Sequence, residues 1–270
     1  MGVITLLTDF GLHDEFVGVM HGVILGIHPA AKVVDLCHAV PPGDRRRAAL
    51  LLAWSWRYFP PGTVHVTVVD PGVGTTRRIL YARVAGHHFL APDNGVLTGV
   101  LSSSTPTELR EVRERRYWLP SVNPTFHGRD IFAPVAARLS KGLRPALLGP
   151  KTTRWVRLPI QSPRRVGRQL VGQVIDVDRF GNLVTNLDRA SLGKWPAGAL
   201  MFRIRGRRIR GLVRTFWAVR SGALAAVVGS RGLVEIAIRD GDASRTLRAA
   251  IGTPVIACHS VSQPLQLLYL

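Results

Sequence analysis

Three short stretches hold side chains whose types and spacing could do chemistry. "TDFGLHDEF" (8–16) offers Asp9 and Asp14, "VDPGVGTTRR" (69–78) offers Asp70, Arg77 and Arg78, and "NPTFHGRDIF" (123–132) offers His127, Arg129 and Asp130. An acid, an arginine and a histidine, with no Ser or Cys in an activating context, suit activation of a water molecule better than a covalent intermediate. Gly72 and Gly74 resemble half of a phosphate loop. The Walker pattern, however, needs Gly-Lys-Ser/Thr, and the dinucleotide fingerprint needs a third glycine opening a helix; neither is present. A glycine turn that lets backbone approach a ligand stays open. Each stretch also has a plainer explanation: Asp9 and Asp14 as helix caps, His127 as a structural histidine, Asp130 as a helix-start residue. No His, Cys, Asp or Glu group has zinc-ligand spacing, so a metal-free site is expected.

These stretches need elements to position them. "GVITLLTDF" reads as a strand ending at Thr8 and Asp9, and Phe16, Val17, Met20, Val23, Ile24 and Ile27 follow at helical spacing until Pro29. "AKVVDLC" and "TVHVTVVD" read as strands, the latter β-branched like a buried parallel strand. Between them, Arg45–Phe59 reads as a helix stopped by Pro60 and Pro61. "RILYARVAGHHFLAPDNG" reads as two strands turning near Gly86, and "DIFAPVAARLSKG" as a helix ended by Gly142. Such alternation predicts an α/β domain with a largely parallel sheet over residues 1–160, and ligands in open α/β sheets bind beyond the strands' carboxyl ends. After "SPRR" the pattern changes to short β runs: "QLVGQVIDVD", "GALMFRIRG", "RIRGLVRTF", "ALAAVVGS", "GLVEIAIRD" and "TPVIACHS". Residues 161–270 are therefore predicted to form a small all-β barrel or sandwich.

Composition bounds the classes. A 46% hydrophobic and 20% charged chain of 270 residues can bury a substantial core. No apolar run approaches ~18 residues, so no membrane span is expected. "MGVITLLTDFG" lacks a basic flank and reaches an acid early, unlike a signal peptide. Cys37 and Cys258 are far apart and read as buried thiols in a reducing cytoplasm. The 36 basic residues against 17 acids give +19, an excess almost wholly of arginine. Nucleic acid is one partner that such a charge fits. Yet the arginines fall in short scattered runs (45–47, 113–116, 205–210) without interleaved aromatics or a zinc-finger or helix-turn-helix spacing, which favours solvated faces.

"TDFGLHDEFVG", "VDPGVGTTRR", "APDNG", "FHGRDIFAPVAA", "DRFGNLVTN" and "GSRGLVEIA" occur in this order. Together they resemble the S-adenosylmethionine hydroxide adenosyltransferase family, the S-adenosylmethionine hydrolases, which are related to fluorinases and chlorinases. The resemblance runs from residue 3 to about residue 260. It implies an N-terminal α/β domain, a C-terminal β-barrel and a homotrimer, with substrate between one subunit's N-terminal domain and its neighbour's C-terminal domain. It further implies hydrolysis of S-adenosylmethionine to adenosine and methionine without a cofactor.

By motif, the family's water-activating set falls on Asp70, Arg77 and His127, with Arg78 as the competitor to Arg77. Asp70 and His127 would hold and deprotonate the water while Arg77 fixes Asp70. Asp9 matches the acid that grips the ribose hydroxyls, and Phe126 would pack near ribose or adenine. Phe180 matches the ring stacked on adenine, Asn182 the amide reading its edge, and Asp178 the acid taking the methionine ammonium. Ser230 and Arg231 would hold the methionine carboxylate, and Asp14 would order the first loop. Without the other motifs, Phe180 reads as core and Asn182 as a turn residue. The halogenases carry Tyr where Asp70 stands, and a carboxylate there would repel a halide. Another possibility of a different class is a nucleic-acid- or nucleoside-binding module on the same fold.

Overall fold

The computed structural model describes residues 2–259, and the chain divides into two units between Pro159 and Ile160. In the first unit, the strand Val3–Thr8 (β1) leads into the helix Phe16–Ile27 (α1), which buries Val17, Met20 and Ile24. The strand Lys32–Cys37 (β2) and the helix Arg45–Ser55 (α2) follow, with the Asp44 carboxylate capping α2 by accepting from the Arg47 amide at 2.9 Å. Then come Val64–Val68 (β3) and a hairpin of Ile79–Val84 (β4) and His87–Pro92 (β5). The hairpin turns at Ala85 and Gly86, both at positive φ, as its tight two-residue loop requires. A short helix Thr98–Ser103 (α3), an edge strand Glu108–Glu111 (β6) and the helix Ala133–Ser140 (α4) complete the unit.

The sheet order is β2-β1-β3-β5-β4-β6. The pairings β2–β1, β1–β3 and β3–β5 are parallel, while β5–β4 and β4–β6 are antiparallel, so the sheet is mixed. Alternating side chains serve its two faces. Ile4, Leu6, Val66, Val68 and Leu90 pack with Met20, Ile24 and Val135 on the α1/α4 side. Leu7, Ala82, Phe89 and Ala91 pack with Ala48, Leu52, Val100 and Leu101 on the α2/α3 side. Two covered faces are what a doubly wound sheet needs. The chain leaves β1 toward β2 on one side and returns to β3 on the other, which makes the tips of β1 and β3 the topological switch point. The register sets Thr8 opposite Val68, so the loops carrying Asp9 and Asp70 emerge side by side.

The expected helix over 130–142 begins later than its sequence pattern. Gly128–Phe132 wind as a wider π turn, and α4 starts at Ala133. Asp130 does not cap this helix; its carboxylate turns back to accept from the Asn123 amide at 2.7 Å. Among the described residues, no helix is long and apolar enough to cross a membrane.

The paired strands of the second unit all run antiparallel. Its elements are Arg164–Val166 (β7), Gln169–Val177 (β8), Leu183–Asp188 (β9), Arg189–Leu192 (α5), Leu200–Ile204 (β10), Arg207–Arg210 (β11), Leu224–Val228 (β12), Leu233–Ile238 (β13), Ala243–Leu247 (α6) and Pro254–His259 (β14). The order is β11-β10-β14-β8-β9-β13-β12, with β7 on β8. A bridge between Val213, just past β11, and Val227 of β12 brings the two ends of that order together, so the sheet is nearly closed around Val174, Leu183, Phe202, Val234 and Val255.

Candidate active site

At the switch point, Asp70 follows β3 and is joined to Arg77 and His127, the two other groups that the resemblance implies for water activation. Arg77 Nε donates to Asp70 Oδ2 at 2.7 Å, and Arg77 Nη2 pairs with the same oxygen. Nη2 also donates to His127 Nδ1 at 2.8 Å. Both side chains of the ion pair are at least nine-tenths buried. The other carboxylate oxygen, Asp70 Oδ1, is buried with no hydrogen-bond donor among the described residues. A buried, unsatisfied carboxylate oxygen is costly, so it marks a place where a donor from outside the chain is wanted.

The glycines of the 69–78 loop serve this contact. Gly74 has φ +80°, and a Cβ there would lie 2.7 Å from the Pro124 carbonyl oxygen. Glycine thus lets the 69–78 loop rest on the 123–127 loop, which brings Arg77 to His127. Asp130 stabilises the second loop through the Asn123 amide and through Arg129 Nε and Nη2 at 2.6 and 3.0 Å. Burial acts to raise the Asp130 pKa, but the Arg129 bond and the Asn123 amide outweigh it and hold the pKa below the usual carboxylate value.

The hydrogen-bond polarity fixes the state of His127. An arginine can only donate, so Nδ1 accepts and is bare. Burial, and then the Arg77 charge, lower the His127 pKa, with Asp70 and Asp130 opposing in part. The ring is therefore neutral at physiological pH with its proton on Nε2, where it is a donor.

Arg78, the sequence competitor, belongs elsewhere. It pairs with Asp93 Oδ2 at 2.5 Å and Glu111 Oε1 at 3.0 Å, and donates to the Arg154 carbonyl at 3.0 Å. Consecutive residues of an extended chain face opposite ways, and only Arg77 faces Asp70.

Asp70 and His127 line a cavity of about 130 Å³ together with Asp9, Phe10, Val73 and Phe126. Asp9 is not a helix cap: its Oδ2 accepts from the Gly43 amide at 2.8 Å, and α1 has no side-chain cap. Asp14 caps nothing there either. Phe10, Phe16 and Phe126 form an edge-to-face trio with centroids 5.1–6.0 Å apart, and Arg129 lies 5.1 Å from the Phe126 ring. Such a trio walls a pocket with apolar faces and positive ring edges. Among the described residues, no group of three His, Cys, Asp or Glu side chains could hold a metal ion.

The second unit carries the other expected site residues on the loops joining β8 to β9 and β12 to β13. Asp178 Oδ1 accepts from the Phe180 and Asn182 amides, both at 2.9 Å, and Oδ2 accepts from Asn182 Nδ2 at 2.8 Å. Asp178 and Asn182 therefore build the turn themselves, and Asn182 spends one side-chain N–H on it. The plain reading of Phe180 as core does not hold: it is 76% exposed. Ser230 is exposed, while Arg231 reaches Asp176 Oδ2 at 3.5 Å. Sequence reasoning missed Asp176 and Glu235, both buried acids beside these loops. Burial, and then Asp178, raise the Glu235 pKa, with Arg231 opposing. Their signal was present: each is a lone acid inside an apolar strand run.

The sequence profile of the SAM hydroxide adenosyltransferase N-terminal domain matches residues 4–149, and that of the C-terminal domain matches residues 172–256. The chain is 41% identical over 266 residues to an (R)-S-adenosyl-L-methionine hydrolase of Thermus thermophilus, covering 94% of this chain and 99% of that protein. It is 30% identical to a fluorinase of Nocardia brasiliensis over 73% of this chain and 74% of the fluorinase. A crystal structure of an uncharacterized conserved protein from Thermotoga maritima superposes with a TM-score of 0.90 at 36% identity, covering 95% of this chain and all of that one.

Proposed function

The chain belongs to the SAM hydroxide adenosyltransferase family, and on that premise we propose that it hydrolyses S-adenosyl-L-methionine to adenosine and L-methionine by attack of water on the ribose 5′ carbon. One observation carries the chemistry: the buried Asp70 Oδ1, with no donor of its own, at the wall of the cavity beside Asp9. A water in that cavity can donate to Oδ1.

The reaction asks little of the leaving-group side. The carbon–sulfur bond breaks with its electron pair going to sulfur, and the sulfonium leaves as a neutral thioether that needs no proton. No step calls for a metal or a cofactor. Water is the weak partner, and the site supplies what it lacks. As the new carbon–oxygen bond forms, the water's proton passes to Asp70 Oδ1. Arg77 holds Asp70 through its other oxygen. His127, neutral and bare at Nδ1, offers its Nε2 proton to the water oxygen and so acts as an orienting donor rather than the base. The sequence alone left the proton acceptor undecided between Asp70 and His127; hydrogen-bond polarity favours Asp70.

Asp9, steadied by the Gly43 amide, keeps one oxygen for ribose hydroxyls, and Phe126 with Phe10 gives the sugar an apolar wall. Around the second unit's turn, Phe180 has an open face for adenine, Asn182 Oδ1 remains for the base edge, and the Asp178 carboxylate is positioned for the methionine ammonium. Arg231 and Ser230 would take the methionine carboxylate. The homotrimer with shared sites that the resemblance implies is part of this proposal. A halide entering beside Asp70 would meet a carboxylate oxygen that no donor among the described residues covers, which disfavours halogenation. Incubation with S-adenosylmethionine, with and without excess chloride, is expected to give adenosine and methionine in equal amounts by chromatography. A 5′-chloro product would replace hydrolysis by halogenation, and no product at all would refute both.

A further inference from the structure

A second cavity of the first unit, about 730 Å³, shares only His127 with the small one; Asp9 and Asp70 line only the small cavity, and Arg77, Arg78, Arg113 and Arg115 only the large. Its hydrogen-bonding groups are unequally used. Glu111, the one acid in its lining, is already paired with both Arg78 and Arg113. The donors are not used up. Arg77, whose side chain is 10% exposed, spends Nε and Nη2 on Asp70 and His127, and its Nη1 has no partner among the described residues. Trp118 Nε1 is buried with no acceptor among the described residues. Arg115 lies 5.8 Å from the Trp118 ring and pairs with no carboxylate among the described residues. A wall of unspent donors and net positive charge is matched by a ligand made of acceptors and negative charge. The cationic sulfonium substrate proposed above is repelled from it.

We propose that this cavity is a second binding site, for a phosphoryl dianion, free or carried on a small organic molecule. Arg77 Nη1 and Trp118 Nε1 bind it from within, and Arg113 and Arg115 bind it from the mouth, where the Arg113 side chain is 65% exposed. Planar guanidinium forks match phosphate oxygens in pairs, which a scatter of lysines would not. The site also gives part of the arginine excess a specific task.

Calorimetric titration of the whole protein, at constant ionic strength and without substrate, tests this with inorganic phosphate and with glycerol 3-phosphate. Saturable binding of at least one is expected, with the tighter ligand showing whether the free ion or an organic phosphate is preferred. The double variant Arg113→Gln/Arg115→Gln should bind at least about tenfold more weakly, the loss of roughly one charged hydrogen bond, with basal hydrolysis unchanged. Trp118→Phe keeps the ring, removes the inner donor and should also weaken binding, which covers the case of a double variant that does not fold. No saturable binding of either phosphate, undiminished binding in the folded variants, or binding of a single-stranded oligonucleotide alone would overturn the proposal. Because binding is read without turnover, a failed hydrolase assay would leave this result standing, and the reverse.

Discussion

Asp70→Asn is expected to lower the hydrolysis rate of S-adenosylmethionine, per folded molecule, by about 10²–10⁴-fold, the usual worth of a positioned base, and also to lower the melting temperature, because Arg77 loses its buried anionic partner. The amide keeps the shape of the side chain and can still accept from Arg77 through one oxygen. It loses the charge and the second acceptor, the oxygen that has no hydrogen-bond partner among the described residues. His127→Gln separates the two groups that face the water. A glutamine side-chain N–H can stand in for an orienting donor, so a smaller loss is expected than for Asp70→Asn. If His127 took the proton, glutamine would be as damaging as the asparagine at 70, and Asp70→Asn would keep much of its activity. Steady-state rates of the two variants, taken side by side, decide between these roles.

Adjacent arginines should fail in different ways. Arg78→Met removes the partner of two buried acids, Asp93 and Glu111, whose side chains are 3% and 11% exposed. Breaking a buried pair from one side costs about 3–5 kcal/mol. Asp93 also accepts from the Val156 amide at 2.7 Å, so the segment after residue 150 loosens with it. A fall in melting temperature of roughly 6–12 °C is expected, taking about 3 kcal/mol and the slope for a domain of this size. Activity per folded molecule should survive. Arg77→Met also strips a buried acid, Asp70, of its partner, but it should in addition abolish most turnover per folded molecule, because Asp70 and His127 lose the group that joins them. Calorimetry and rates on both variants check the contrast; loss of activity in Arg78→Met at full folding would contradict it.

Much of this arrangement was legible in the sequence because the strongest elements have clear periods. β1, α1 and β3 show apolar repeats long enough to read, and a parallel register then places Asp9 beside Asp70. The helix α3 and the edge strand β6 escaped. One is six residues in a Ser- and Gly-rich run, and the other is four residues, half of them acidic, too short for a period to show. The antiparallel addition of β4 and β6 depended on which edge the hairpin joined, a tertiary choice with no local signal. Site residues followed the same division. Asp70 and His127 stood out as polar tips, but Arg77 and Arg78 are neighbours of one type. The family's spacing from the acid favours Arg77, and the position of Pro124 against Gly74 and of Glu111 against Arg78 gives the physical reason. Asp176 and Glu235 hid inside strand patterns, where a lone acid reads as one solvent-facing position until its burial is known.

Hydrolysis in ¹⁸O-labelled water, with adenosine and methionine separated and weighed by mass spectrometry, tests the central claim most directly. Attack of water on the ribose 5′ carbon must place the label in the 5′-hydroxyl of adenosine and leave methionine unlabelled. Adenosine without label, or no adenosine from a folded preparation, would contradict it.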